Sequence, residues 1–204
     1  MSWSRLLIAL AGLGLVAGCV SGRGGSLPKL AHAVVSPDFD TYPLRRVGLL
    51  PFTGPEVSVP RALELQKALH TELAQSTPYE LVQLAERDLY ELEQSDPHRQ
   101  GVYKPRTIID LAQAYHLDAI LFGTITQERF FPPLLLSLAV DLVSAETGLV
   151  LWSGSVHLDA SDARVQDGLR IYAGNPADPE AWRVALISPE RFARFAAFQI
   201  ACLL

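Results

Sequence analysis

The sequence predicts an α/β fold: a single domain with a mixed β-sheet, packed helices, a C-terminal antiparallel hairpin and a final helix. Three observations predict it. Short apolar runs closed by turn residues recur at 47–52 and 119–123, as buried strands do. Stretches with a helical apolar period lie between them. From Leu134 to Leu142 apolar and mixed positions alternate, and a turn then leads into a second alternating stretch.

The N-terminus is set apart from this domain. Arg5 precedes an uncharged run from Leu6 to Val16, which ends in Val16-Ala17-Gly18-Cys19. That run is too short to cross a hydrocarbon core, which takes about 20 apolar residues as a helix. The small residues before the cysteine suit a processing site, so residues 1–18 read as a lipoprotein signal peptide with a lipobox. Cys19 then becomes the new terminus and carries diacylglycerol and acyl chains, the one covalent group expected; no other cofactor is. Each buried methylene contributes about 0.8 kcal/mol, so two or more chains hold a protein at a membrane. Residues 19–43 read as a lipidated tether and arm. Ser21-Gly22-Arg23-Gly24-Gly25-Ser26 has the composition of a flexible coil. The arm is expected to be irregular, because prolines stand at 28, 37 and 43.

Residues 44–204 make the α/β domain, expected on the periplasmic face. Val47 to Phe52 is a buried strand closed by Thr53-Gly54-Pro55. A helix follows from Pro60, with Leu65, Leu69 and Leu73 on one stripe and Ala62 and Ala68 beside it. Tyr79 to Leu84 is a second strand, Ala85 to Gln94 a short polar helix, and Ser95 to Pro105 a loop. Ile108, Leu111, Ala112 and Tyr115 share one helical face, and that helix ends at His116. Leu134 to Leu142 is expected to be a half-buried strand. Across the Glu146-Thr147-Gly148 turn, Val150, Trp152, Val156 and Leu158 are expected on one face of its partner. Ser188-Pro189-Glu190 opens the last helix, combining a capping hydroxyl, a proline in the first turn and an acid at the positive end of the dipole.

Composition excludes several functions. The chain has 204 residues, a formal net charge of -5 and no basic run, which argues against a nucleic-acid partner. The histidines at 32, 70, 98, 116 and 157 show no ligand spacing, and one cysteine beyond Cys19 cannot build a zinc site, so no metal is expected. Neither a G-x-S-x-G elbow nor a Walker-type loop is present. Asp110, Asp118 and Asp141 read as solvated or capping carboxylates, and His157 as a surface histidine. Cys202 reads as a buried, inert thiol without an internal disulfide. The chain is therefore expected not to be an enzyme.

One stretch stands out as a partner contact. Ser161 to Ile187 is long for a connector, and Arg164, Arg170, Tyr172, Trp182 and Arg183 lie in it. Arg, Tyr and Trp are enriched at interaction hot spots. Packing of the same stretch on the core, with Trp182 as its cover, is the competing reading.

Three motifs together resemble one superfamily: V-G-L-L-P-F at 47–52, L-D-A-I-L-F-G-T-I at 117–125 and L-A-V-D-L-V-S-A-E-T-G-L-V-L-W-S at 138–153. It contains the curli-secretion lipoprotein, the lipoprotein activators of penicillin-binding proteins and the amino-terminal domain of the Tol-system propeller protein. Ser144-Ala145-Glu146-Thr147-Gly148 departs slightly from the superfamily's hairpin turn. The resemblance implies a membrane-anchored, non-enzymatic protein-interaction module in cell-envelope assembly, such as a peptidoglycan-synthase activator. It also implies, with Val20 rather than aspartate after the cysteine, an outer-membrane location in a Gram-negative host. A subunit of an oligomeric secretion channel is the second reading, and an envelope hydrolase built from scattered Asp, Glu and His the third.

Overall fold

The computed structural model describes residues 27–55, 57–85, 87–88, 105–175 and 177–204. The lipobox, Cys19 and the glycine-rich tether lie outside the described residues, as do most of the helix expected after Ala85 and the loop that follows it. The described elements run β1 (Ala31–Val35), β2 (Arg46–Leu49), α1 (Val59–Ser76), β3 (Glu80–Gln83), α2 (Pro105–Tyr115), β4 (Ala119–Arg129), β5 (Leu135–Ser144), β6 (Val150–Asp159), α3 (Ala163–Ala173) and α4 (Pro189–Ala201), with 3-10 turns at Phe39–Thr41 and Ala181–Leu186.

The strands form one six-stranded mixed sheet in the order β1-β6-β5-β4-β2-β3. β2 pairs parallel with β3 and β4, while β4, β5, β6 and β1 pair antiparallel in turn. The α/β class and the hairpin are thus as the sequence implies.

Period-2 alternation divides the side chains between two faces. On the first face, Leu134, Leu136, Leu138, Val140 and Leu142 join Val47, Leu121, Trp152 and Val156 under α1, α3 and α4. Leu65, Leu69 and Leu73 of α1 and Phe192, Phe195, Ala196 and Ile200 of α4 fill this core. Two glycines on strands make room for rings. A Cβ on Gly154 would lie 2.2 Å from Cη2 of Trp152, and one on Gly123 would lie 2.5 Å from Cε1 of Phe52. The Trp152 indole N–H donates to the Leu203 carbonyl at 3.2 Å, tying the hairpin to the end of the chain. On the second face, Ile108 and Ala112 of α2 cover Leu50, Leu84, Ile120, Phe122 and Val143.

The helix ends follow local chemistry. Ser188 accepts a hydrogen bond from the Arg191 N–H, and Pro189 opens α4. α2 stops at His116, whose φ of 55° is the left-handed conformation that commonly closes a helix.

Four expectations are corrected. Residues 31–35 are not irregular: they form edge strand β1, because Pro28 and Pro37 fall outside the five paired residues and delimit the strand instead of breaking it. β5 is not half-buried; all ten of its residues are buried, since it lies between two long neighbours and its second face carries residues that pack or pair laterally. Val150 does not share a face with Trp152, because the register shifts between Leu142 and Val143, and Val150 packs on the second-face cluster. Cys202 is half-buried and disulfide-bonded, not a buried free thiol.

Candidate interaction surface

The second face of the sheet changes character along its width. Over β2 and β4 it is covered by α2. Over β6 and β1, His32, Val34, Ser155 and His157 are exposed, while the β5 residues of this face, Ser137, Ala139 and Asp141, are buried. Register fixes its rows: Ser137 stands opposite His157, Ala139 opposite Ser155, and Asp141 opposite Ser153. Ser155 in turn faces His32, and Ser153 faces Val34 on the edge strand. The face is therefore floored by small and polar side chains. It holds a cavity of about 680 Å³ lined by Lys29, His32, Gln127, Ser155, His157 and Arg164, and beside it one of about 360 Å³ around His32, Val34 and Ser153.

Two lateral pairs stiffen this floor. The Ser137 hydroxyl lies 2.6 Å from Nδ1 of His157, and the Ser153 hydroxyl donates to Oδ1 of Asp141. Asp141 is 4% exposed, so it is a buried, hydrogen-bonded carboxylate and not the solvated or capping group expected. Pairing it with a hydroxyl offsets part of its desolvation cost. His157 is exposed, as expected of a surface histidine.

A serine beside a histidine invites a test for nucleophilic catalysis. Such chemistry needs N–H donors aimed at the position where an oxyanion forms. Ser137 sits within β5, between β4 and β6, and the backbone groups around it belong to the two ladders. Ser137 is itself buried. The pair holds neighbouring strands together and presents no assembled acyl-transfer site. Among the described residues, no three His, Cys, Asp or Glu side chains are grouped to hold a metal.

The other carboxylates named from the sequence have local tasks. Asp118 accepts from the backbone N–H groups of Arg45 and Arg46, each at 2.8 Å, and so ties the start of β2 to the start of β4. Asp110 is exposed and lies 4.0 Å from Arg106 across one helical turn.

Of the residues expected to contact a partner, Arg164 alone lines the open-face cavity, and its guanidinium donates to the Lys29 carbonyl at 3.3 Å. Tyr172 is packed against Phe195 and Phe198 and donates to Oε1 of Glu72 at 2.9 Å. Burial pushes its hydroxyl pKa well above the ordinary range, and the adjacent Glu72 carboxylate adds to the shift. Trp182 packs on the core, with the Arg183 guanidinium 5.8 Å from its ring centre. Arg183 pairs with Glu180, and Arg170 with Asp167. Val16, Ala17, Gly18 and Cys19 lie outside the described residues. Sequence reasoning missed His32, Val34 and Ser155. The signal for the first two was the run Ala31-His32-Ala33-Val34-Val35 between its bounding prolines.

Fold and surface together define an α/β domain with one half-open sheet face and no assembled catalytic centre among the described residues. No family model matches the chain, and no curated protein sequence matches it. Solved structures similar to it include the PelC dodecamer from Paraburkholderia phytofirmans, 8% identical over 77% of this chain and 94% of that one, with a TM-score of 0.45. Lipoprotein GNA1162 from Neisseria meningitidis is 20% identical over 56% of this chain and 79% of that one, with a TM-score of 0.41. LpoB from E. coli is 16% identical over 78% of this chain and 83% of that one, with a TM-score of 0.40. At such scores the likeness is one of general arrangement and identifies no ligand or partner.

Proposed function

We propose that this chain is a lipid-anchored cell-envelope protein that acts by contact and not by catalysis. Cys19 bears the lipid, the glycine-rich segment is the tether, and the open sheet face with edge strand β1 is the docking surface for an envelope protein. The observation that carries the reading is that face: His32, Val34, Ser155 and His157 stand exposed on β1 and β6, and β1 is the edge strand. An edge strand has backbone groups free to pair with another chain, and flanking pockets can select its side chains. The resemblance of the sequence motifs supports a binding module, such as an activator of a peptidoglycan synthase, on the periplasmic face of an outer membrane.

The secretion-channel alternative needs strands that leave the sheet for the bilayer. β5 and β6 are held between β4 and β1, and β5 is buried along its length. That integration favours a core hairpin.

Site-specific photocross-linking in intact cells tests the docking surface. A photoreactive residue at Ser155 or Val34 is expected to give one discrete adduct with an envelope protein, and one at Gln75 on the outer side of α1 none. Equal labelling from all three positions, or adducts of the chain with itself alone, would reject the reading. The second outcome would favour the ring-forming alternative.

A further inference from the structure

We infer that the tip joining β4 to β5 enters the interfacial layer of the membrane that holds the lipid anchor, so that the domain is fixed at two points rather than one. The inference rests on the anchor proposed above.

The tip reads Phe130-Phe131-Pro132-Pro133. Phe131 is 80% exposed and Phe130 50% exposed, which makes Phe131 the most exposed large apolar residue among those described. Exposed phenylalanines side by side at the end of a hairpin cost solubility unless something apolar receives them.

Topology places the start of the described chain at the same end. Arg129 at the end of β4 pairs with Leu135, and Leu135 pairs with Asp159 at the end of β6. Ala31 pairs with Val156, so the chain before β1 leaves the sheet beside Asp159, at the end that carries the tip. The eight residues from Cys19 to Ser26 reach at most about 29 Å when extended. The opposite end of the sheet, at the β5–β6 turn, is about 30 Å further along the strands. A short tether thus keeps the tip end, and not the turn end, against the bilayer.

The tip is also braced. The Arg61 guanidinium lies 5.5 Å from the centre of the Phe130 ring, and its Nε donates to Oε1 of Glu128 at 2.8 Å. Nε of Arg129 donates to the Pro133 carbonyl at 2.6 Å, and Arg129 pairs with Asp159 at 3.7 Å. These supports hold the rings outward. They also leave each flanking cation matched by a carboxylate, so insertion is driven by apolar burial and not by attraction to anionic headgroups.

The test uses the full acylated chain carrying Cys202→Ala, with a fluorophore on Phe131→Cys or, as control, on Leu149→Cys at the β5–β6 turn. It is reconstituted into vesicles of phosphatidylethanolamine and phosphatidylglycerol containing a doxyl-quencher lipid. Several-fold stronger quenching at 131 than at 149, unchanged by raised salt, is expected. In the unacylated Cys19→Ala chain, Phe130→Ser with Phe131→Ser is expected to lower vesicle partitioning at least tenfold. A label at 131 as exposed to water as that at 149, on a chain whose mass shows the acylated cysteine, overturns this inference alone. Shielding that requires an added protein rather than lipid overturns it too. A chain whose mass shows no acylation sinks both this inference and the anchor beneath it.

Discussion

Gly154 shows how a single missing methyl shapes the core. The Trp152 ring occupies the space where a Cβ would stand, at 2.2 Å, so Gly154→Ala must displace a buried indole. Overpacking of this kind costs about 1–3 kcal/mol, readable as a lowered midpoint in urea unfolding. Gln66 is the polar counterpart. Its amide donates to the Leu49 carbonyl at 2.6 Å and the Leu84 carbonyl at 2.8 Å, closing the ends of β2 and β3. Gln66→Leu takes the donor from the buried Leu84 carbonyl, while the Leu49 carbonyl still accepts from the Leu84 N–H at 2.9 Å, and is expected to cost about 1–3 kcal/mol in the same assay. Neither residue was legible in the sequence as important, because a glycine in a strand and a glutamine in a helix acquire their partners only when distant segments meet.

Glu72 gives a pH signature. Burial raises its pKa, against the opposing hydrogen bond from Tyr172 and the charge of Arg194. A carboxyl whose folded-state pKa exceeds its unfolded value stabilises the fold while protonated. That contribution is fully present below the unfolded pKa and is lost as pH rises through the folded one. Stability is therefore expected to decline across the window just above the ordinary carboxylate range, and Glu72→Gln is expected to flatten that part of the profile. Thermal unfolding measured from pH 4 to pH 7 would show it; an unchanged slope in the variant would count against the assignment.

At the scale of elements, the sequence was most informative where one face alone meets the core. The Leu65, Leu69 and Leu73 stripe of α1 and the capped start of α4 were both legible. It was least informative where pairing is lateral. β1 was hidden because its burial is slight, with Ala31 the one buried residue, and its stability comes from backbone bonds to β6 that no side-chain period announces. β5 was read as half-buried because Ser137 and Asp141 are polar, yet both are buried through partners on β6. The open face is accordingly expected to separate binding from folding. Ser155→Arg and Val34→Lys should change stability by less than about 0.5 kcal/mol, as exposed substitutions do, while abolishing the cross-link from this face. The tip's support should behave oppositely. Arg61 is buried between Glu128 and Glu64, so Glu128→Ala removes one of its two carboxylates and is expected to cost about 1–3 kcal/mol.

The whole molecule has a direction. The chain entering β1 and the Phe130–Phe131 tip share one end of the sheet, the β5–β6 turn occupies the other, and the face bearing His32, Ser155 and His157 lies on the side away from α1 and α4. A domain anchored as proposed would present that face to neighbours at a fixed height above the membrane. Val16-Ala17-Gly18-Cys19 gave the clearest functional expectation in the sequence, because the lipobox proposed there would encode a processing event that does not depend on the fold. The proposed docking face was not legible, since its exposed residues His32, Val34, Ser155 and His157 come from two strands that meet only in the fold.

The central claim is the lipid on Cys19, and it competes for the same sulfur with a disulfide to Cys202. Intact-mass and peptide mass spectrometry of the chain purified from membranes decides between them. The account predicts a mature chain that begins at Cys19 and carries a diacylglyceryl thioether on that residue. A chain that retains residues 1–18, or one in which Cys19 is recovered in a disulfide with Cys202, would contradict it.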